Sequence, residues 1–263
     1  MGHFSDERLG VLSSQYPYVS FHKTVVCDTC HRAKQKKLPF TLSDTRATQN
    51  FELLHMDIWG PCSISSMHGH KYFLTVVDDF SRFTWIIPMN NKSETRTHIV
   101  KFIAYAENQF QNNIKIIRTD NDVEFVMKDY FSSKGIMHHT TCVETLEQNG
   151  IAERKHQHIL NVTRALLFQA NLPPLFWNFA ILHVVFLINC TPTPLLNNKT
   201  PYEKLHTKLC DIFVLRVFGC LCYSSTIIAN RKKFDDRSIA GIFLGFQPNT
   251  KGFLFLNLKS LDM

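Results

Sequence analysis

From Phe51 onward the apolar residues alternate between short continuous runs and runs at helical spacing, and that alternation commits the chain to a layered α/β core. Glu52 to Ile58 reads as a strand. Lys71 to Val77 reads as a second, buried on both faces, and Phe83 to Ile87 as a third that Pro88 stops. Ser93 can cap a helix whose apolar positions Ile99, Phe102, Ile103, Ala106 and Phe110 fall on one face. Ile114 to Thr119 is a β-branched strand, Lys128 to Lys134 a short helix, and Gly135 to Thr141 the next strand. Asn149 to Ala170 is a long helix with Ile159, Val162 and Leu166 on one face. Pro173 and Pro174 open another, striped by Phe176, Phe179, Ala180, His183, Val184 and Leu187. Past Leu205 the texture changes to short strands, Val214 to Tyr223, Ala240 to Phe246 and Gly252 to Leu258, a small all-β module.

Two acids close strands in this pattern, Asp57 and Asp120, and Glu153 sits in the first turn of the long helix. Each alone is an ordinary turn former or helix-dipole partner. In the order strand, strand, helix they can share one cleft. Three hard oxygen donors suit Mg²⁺ or Mn²⁺, which keeps water or substrate phosphate as its other ligands. Two such ions roughly 3.5–4 Å apart activate an attacking oxygen and stabilise a leaving one.

Composition narrows the partners. The 263 residues carry a formal charge of +7, which favours an anionic partner such as nucleic acid, and no apolar run is long enough to span a membrane. The start of the chain is polar and acidic, unlike a secretion signal, so the eight cysteines are expected as thiols or metal ligands in a reducing compartment. Cys27 and Cys30 have the spacing of a zinc half-site, with His3 a candidate third ligand; His22 and His31 have no spacing that recommends them. The other six cysteines read as buried or reduced thiols, Cys220 and Cys222 on one core-facing side of a strand. The basic run holding Arg32, Lys34, Lys36 and Lys37 can track a phosphate backbone or serve as a solvated linker.

Four segments carry a resemblance. Leu54-His55-Met56-Asp57-Ile58-Trp59-Gly60-Pro61, Val77-Asp78-Asp79-Phe80-Ser81-Arg82, Arg118-Thr119-Asp120-Asn121 with Glu124-Phe125, and Gln148-Asn149-Gly150-Ile151-Ala152-Glu153-Arg154 resemble the successive signatures of copia-type retrotransposon integrases. Thr200-Pro201-Tyr202-Glu203-Lys204-Leu205 and Arg216-Val217-Phe218-Gly219-Cys220-Leu221-Cys222-Tyr223 resemble the region C-terminal to the core in those polyproteins.

The resemblance implies an α/β fold with a ribonuclease-H-like core, a mixed sheet with flanking helices at residues 41–207. A partial HHCC zinc-finger segment at residues 1–40 precedes it, and a small Src-homology-3-like β-barrel at residues 208–263 comes after it. It implies Asp57, Asp120 and Glu153 as Mg²⁺ (or Mn²⁺) ligands and catalytic residues, with Asp78, Asp79, Asp122 and Glu124 as acids nearby that are not ligands. It implies Zn²⁺ at His3, Cys27 and Cys30, a site left incomplete because the finger's first histidine would precede Met1. Arg154, Lys155 and His156 are expected to contact phosphates, or else to form a solvated helix face. The implied activity is integrase-type polynucleotidyl transfer on element ends and target DNA by a homo-oligomer. The implied place is the nucleus, with cytoplasmic particles as the alternative and secretion excluded.

Some residues depart from the family pattern. The interval between Asp120 and Glu153 is short, with the loss near Met127 to Ser133; Asp122 stands where glycine is usual; and Thr145-Leu146-Glu147-Gln148 replaces Thr-Pro-Gln-Gln. These departures and the clipped finger imply a decaying copy. A non-catalytic DNA-binding relic of the same fold therefore stands beside the joining enzyme. A ribonuclease-H-like nuclease would use a different acidic set, and a basic α/β scaffold would leave the ordered acids as coincidence.

Overall fold

The computed structural model describes residues 5–20, 29, 32–33, 46–141, 150–226, 231–246 and 252–259. The chain gathers into two compact units, Met1–Thr45 and Arg46–Met263. In the first, α1 (Asp6–Gln15) starts where the Ser5 hydroxyl accepts from the Arg8 N–H. His3, Cys27 and Cys30, like Lys34, Lys36 and Lys37, lie outside the described residues.

The second unit is built on a five-stranded sheet. Its strands are β1 (Leu53–Trp59), β2 (Tyr72–Asp78), β3 (Thr84–Met89), β4 (Ile116–Thr119) and β5 (Met137–Thr140), in the order β3-β2-β1-β4-β5. The first three form an antiparallel meander, while β4 joins β1, and β5 joins β4, in parallel. A parallel neighbour needs a crossover, and α2 (Thr95–Phe110) and α3 (Lys128–Ser133) supply the two required. The long helix α4 (Gly150–Ala170) and α5 (Trp177–Cys190) cover the opposite face, and α6 (Pro201–His206) comes after them.

Burial on both faces explains the near-continuous apolar run of β2. Leu74 and Val76 join Leu54, Met56, Ile99, Phe102 and Ile103 under α2. Phe73 points the other way, into Ile159, Trp177, Ile181 and Val184 of α4 and α5. The same alternation in β1 sends Leu54 and Met56 toward α2, and so turns Asp57 toward α4.

Some boundaries differ from the sequence reading for local reasons. Pro88 does not stop β3; it pairs opposite Phe73 on an edge strand, where a missing N–H costs no ladder bond. The turn into α2 is capped by the Glu94 carboxylate, which accepts from the Asn91 N–H at 2.9 Å, rather than by Ser93. The segment around Val214 is a short 3₁₀ turn, Ile212–Val214, so the last sheet starts later than expected. Cys190 and Cys210, expected as thiols, form a disulfide, because the end of α5 and the chain beyond α6 come together with Cα atoms 5.7 Å apart. Cys220 and Cys222 are half-buried rather than core.

The expected barrel is represented among the described residues by a three-stranded antiparallel sheet of β6 (Leu221–Ser225), β7 (Ser238–Phe246) and β8 (Phe253–Asn257). Leu244 and Leu256 pack with Phe218 on Phe176, Phe179 and Ala180, seating this sheet on the start of α5. Gly241 in β7 is closely covered: a Cβ there would fall into the Phe255 ring and the Leu256 carbonyl. Gly241→Ala is therefore expected to destabilise the protein by about 1–3 kcal/mol through overpacking, read as a lower urea midpoint. An unchanged midpoint would show that β8 yields freely.

Candidate active site

Asp57 lies near the end of β1, opposite Thr75 of β2 in register, on the face that α4 covers. Its side chain is 13% exposed. One oxygen, Oδ1, accepts from the Ile58 N–H at 2.8 Å, and Oδ2 lies 3.4 Å from Nδ1 of His156. On the other side of its ring, His156 meets the Thr75 hydroxyl at 2.8 Å through Nε2. Burial pulls the His156 pKa down to about 4, so the ring is neutral near pH 7. A neutral ring fits an Nδ1–H directed at Asp57 and an Nε2 that accepts from Thr75.

Burial pushes the Asp57 pKa up to about 7, helped by the charges of Asp120, Glu153 and Asp122. Asp120, just past β4, is also raised, first by burial and then by Asp122 and Glu124; its Oδ1 accepts from the Asp122 N–H at 3.1 Å. Lys92 answers this crowd from across the cleft, pairing with Asp122 at 2.6 Å. Glu153 is exposed in the first turn of α4. The charges of Asp120 and Glu153 thus both bear on Asp57. Among the described residues, no group of three or more His, Cys, Asp or Glu side chains is gathered closely enough to hold an ion. The donor chemistry still fits a divalent cation: all three are carboxylates, and Asp57 is buried beside the negative charges of Asp120 and Glu153.

Asp78 and Asp79 stand apart from this cleft. Asp78 pairs in register with Leu54, three residues and about 10 Å back along β1 from Asp57. It accepts from the N–H groups of Phe51 and Ser81 and from the Ser81 hydroxyl, tying a turn. Burial works against ionisation of Asp79, but the His55 ring, the Ala47 N–H and Arg82 together hold it at about 2. Of the expected neighbouring acids, only Asp122 and Glu124 influence the site.

The run Arg154-Lys155-His156 faces three directions. Arg154 is exposed, its guanidinium folded over Gly150; Lys155 is half-buried; and His156 is buried on the sheet, with Nε2 bonded to Thr75 and Nδ1 turned to Asp57. His156 thus faces the sheet rather than the outer side of the helix. Arg32 is exposed. Sequence reasoning passed over Thr75 and the His156 contact to Asp57. The available signal was register: a hydroxyl opposite Asp57 on the face that a helix must cover.

A mixed five-stranded sheet with acids at the ends of β1 and β4 and on a covering helix defines an integrase-type catalytic core fold. Residues 47–156 match the Integrase core domain family and residues 220–261 the Retroviral polymerase SH3-like domain. The chain is 38% identical over 240 residues to the Retrovirus-related Pol polyprotein from transposon RE1 of Arabidopsis thaliana, covering 91% of this chain and 16% of that protein. It is 34% identical over 259 residues to the Retrovirus-related Pol polyprotein from transposon TNT 1-94 of Nicotiana tabacum, covering 96% of this chain and 19% of that one. The chain belongs with the integrase region of these copia-type Pol polyproteins, and it spans less than a fifth of their length. Among solved structures it resembles a chain of the simian T-cell lymphotropic virus intasome in complex with PP2A regulatory subunit B56 gamma. There the TM-score is 0.55 at 15% identity, over 89% of this chain and 85% of that one, a likeness of fold.

Proposed function

We propose that this chain binds DNA and joins DNA ends by metal-dependent strand transfer. The observation that carries the reading is the electrostatic crowding of Asp57 by Asp120 and Glu153 at one end of the sheet. In the reaction, a 3′-hydroxyl attacks a target phosphodiester in line. A new P–O bond forms, the hydroxyl proton leaves, and the displaced target oxygen departs and takes up a proton. Asp57, Asp120 and Glu153 would hold Mg²⁺ or Mn²⁺, which supplies the positive charge that activates the attacking oxygen and stabilises the leaving one. The protein's own part is to aim these oxygens: neutral His156, held by Thr75, directs Asp57, and the backbone N–H groups of Ile58 and Asp122 orient Asp57 and Asp120.

Arg32 and Arg154, both exposed, would meet DNA phosphates. Joining an element to a target handles more than one DNA end, which favours a homo-oligomer, and chromosomal DNA as target places the work in the nucleus. Among the described residues, no helix is long and apolar enough to cross a membrane.

A second reading, the same fold binding DNA without joining it, is favoured by Asp122, an acid where glycine is usual, whose charge adds to the crowding of Asp57 and Asp120. Incubation with a labelled duplex bearing a recessed 3′ end, in Mn²⁺ or Mg²⁺, separates the two. Joined product supports strand transfer. Salt-sensitive binding with no product, at protein concentrations that permit oligomers, replaces it with the second reading.

A further inference from the structure

The helix that carries Glu153 has a second polar feature on another side. Ile151, Lys155, His158 and Val162 recur at helical spacing on α4 and line a cavity of about 650 Å³. The end of α5 closes it with Val184 and Leu187, and Arg82, from the turn after β2, reaches in beside Arg154. Residues two apart on a helix point about 200° apart, so Lys155 faces away from Glu153. The cavity is therefore separate from the carboxylate cleft.

Its charge is one-sided. Arg82, Arg154, Lys155 and His158 line it, and among the described residues no aspartate or glutamate does. Lys155 is half-buried in this wall and has no hydrogen-bond or ion-pair partner among the described residues. Arg82 engages Asp79 at 3.2 Å through one terminal nitrogen, while its Nε is buried with no partner. Asp79 answers the charge of Arg82 but not its Nε donor, and a partly buried ammonium with no partner beside an unmet N–H is costly unless an anion completes the arrangement. Val184, Leu187 and Ile188 make the wall on the α5 side apolar.

We propose that this cavity binds a small organic phosphate: the phosphate group lies among Arg82, Arg154, Lys155 and His158, and a ring or other apolar portion lies against α5. Its size excludes a duplex and admits a nucleotide-sized anion. The site stands whether or not the chain joins DNA.

Titration calorimetry with ATP and with inorganic pyrophosphate tests this, using the whole chain at low salt in EDTA so that no metal bridges to the carboxylates. ATP is expected to bind saturably at one site and more tightly than pyrophosphate, because only ATP uses the apolar wall. Lys155→Gln should weaken ATP about tenfold or more, Lys155→Arg should retain most of the affinity, and the exposed Lys71→Gln should leave it unchanged. Leu187→Trp, which fills the apolar end, should weaken ATP and spare pyrophosphate. No saturable ATP binding overturns the proposal, as does equal ATP affinity in the unmodified chain and Lys155→Gln. A third overturning result is duplex DNA losing affinity in Lys155→Gln while ATP does not bind, which would assign the lysine to a DNA surface.

Discussion

Asp57→Asn is expected to make the metal-free protein more stable while removing its ability to join DNA. The Asp57 carboxyl has a folded pKa of about 7 against an ordinary value of 3.8, a rise of about 3. At roughly 1.4 kcal/mol per pH unit, its ionised form costs the fold on the order of 4 kcal/mol. Because the folded pKa is the higher one, the folded state binds the proton more tightly. The stability this confers is complete below pH 4 and is lost as pH rises through 7.

Asparagine is neutral, keeps an oxygen for the Ile58 N–H, and removes that loss. In EDTA at pH 8 the variant should exceed the unmodified chain by a few kcal/mol, and the gap should close toward pH 4. Mn²⁺ or Mg²⁺ should then stabilise the unmodified chain and leave Asp57→Asn almost unmoved, since binding to the native state alone raises its stability. Joining should fall by about 10³-fold or more, roughly 4 kcal/mol in barrier, as it should for Asp120→Asn and Glu153→Gln. Equal unfolding curves at pH 8 would sink the electrostatic account of Asp57. Product formed by the variant at an unchanged rate would remove it from the chemistry.

Much of this arrangement was legible because period and register leave few choices. A run like Phe73-Leu74-Thr75-Val76-Val77 is buried on both faces or not at all, so β2 had to lie inside the sheet with helices on either side. That placement brings the ends of β1 and β4 together, and with them Asp57 and Asp120. The phase of α4 was not legible. Arg154, Lys155 and His156 read as one basic run, yet consecutive helical residues step about 100°, so the sequence cannot show which of them meets the sheet. Asp78 and Asp79 misled for a related reason: proximity to Asp57 depends on β2 running back antiparallel, which carries them to the far end of β1. The Cys190–Cys210 pair depends on where α6 returns the chain, information held by packing rather than by spacing.

Phe73→Ala is expected to be the most destabilising single core truncation near the site, and to reach the carboxylates through the packing that surrounds them. Phe73 is 0% exposed and stacks on Trp59 at 5.0 Å between ring centroids, with Trp177 at 6.2 Å. The His156 ring stands edge-on to it at 5.5 Å. Removing a fully buried phenyl costs about 3–5 kcal/mol in transfer and cavity energy, and lost aromatic pairing is part of that cost. The cavity would open under Ile159 and Ile181, where α4 and α5 meet the sheet. His156 would lose the edge contact that helps fix its ring, leaving Thr75 alone to aim it at Asp57.

Two readouts should therefore move together. The urea midpoint should fall at unchanged slope, and the stabilisation gained from Mn²⁺ should shrink in the fraction that remains folded. Phe73→Leu, which refills much of the space, should lose less in both, and Phe234→Ala, at a side chain 96% exposed, should stay within about 0.5 kcal/mol. If Phe73→Ala lowers the midpoint but the gain from Mn²⁺ is intact, the His156 ring is positioned by Thr75 without help from the core. If the midpoint itself barely moves, α4 and α5 can close over the missing ring, and the rigid layer beneath Asp57 is not what holds it.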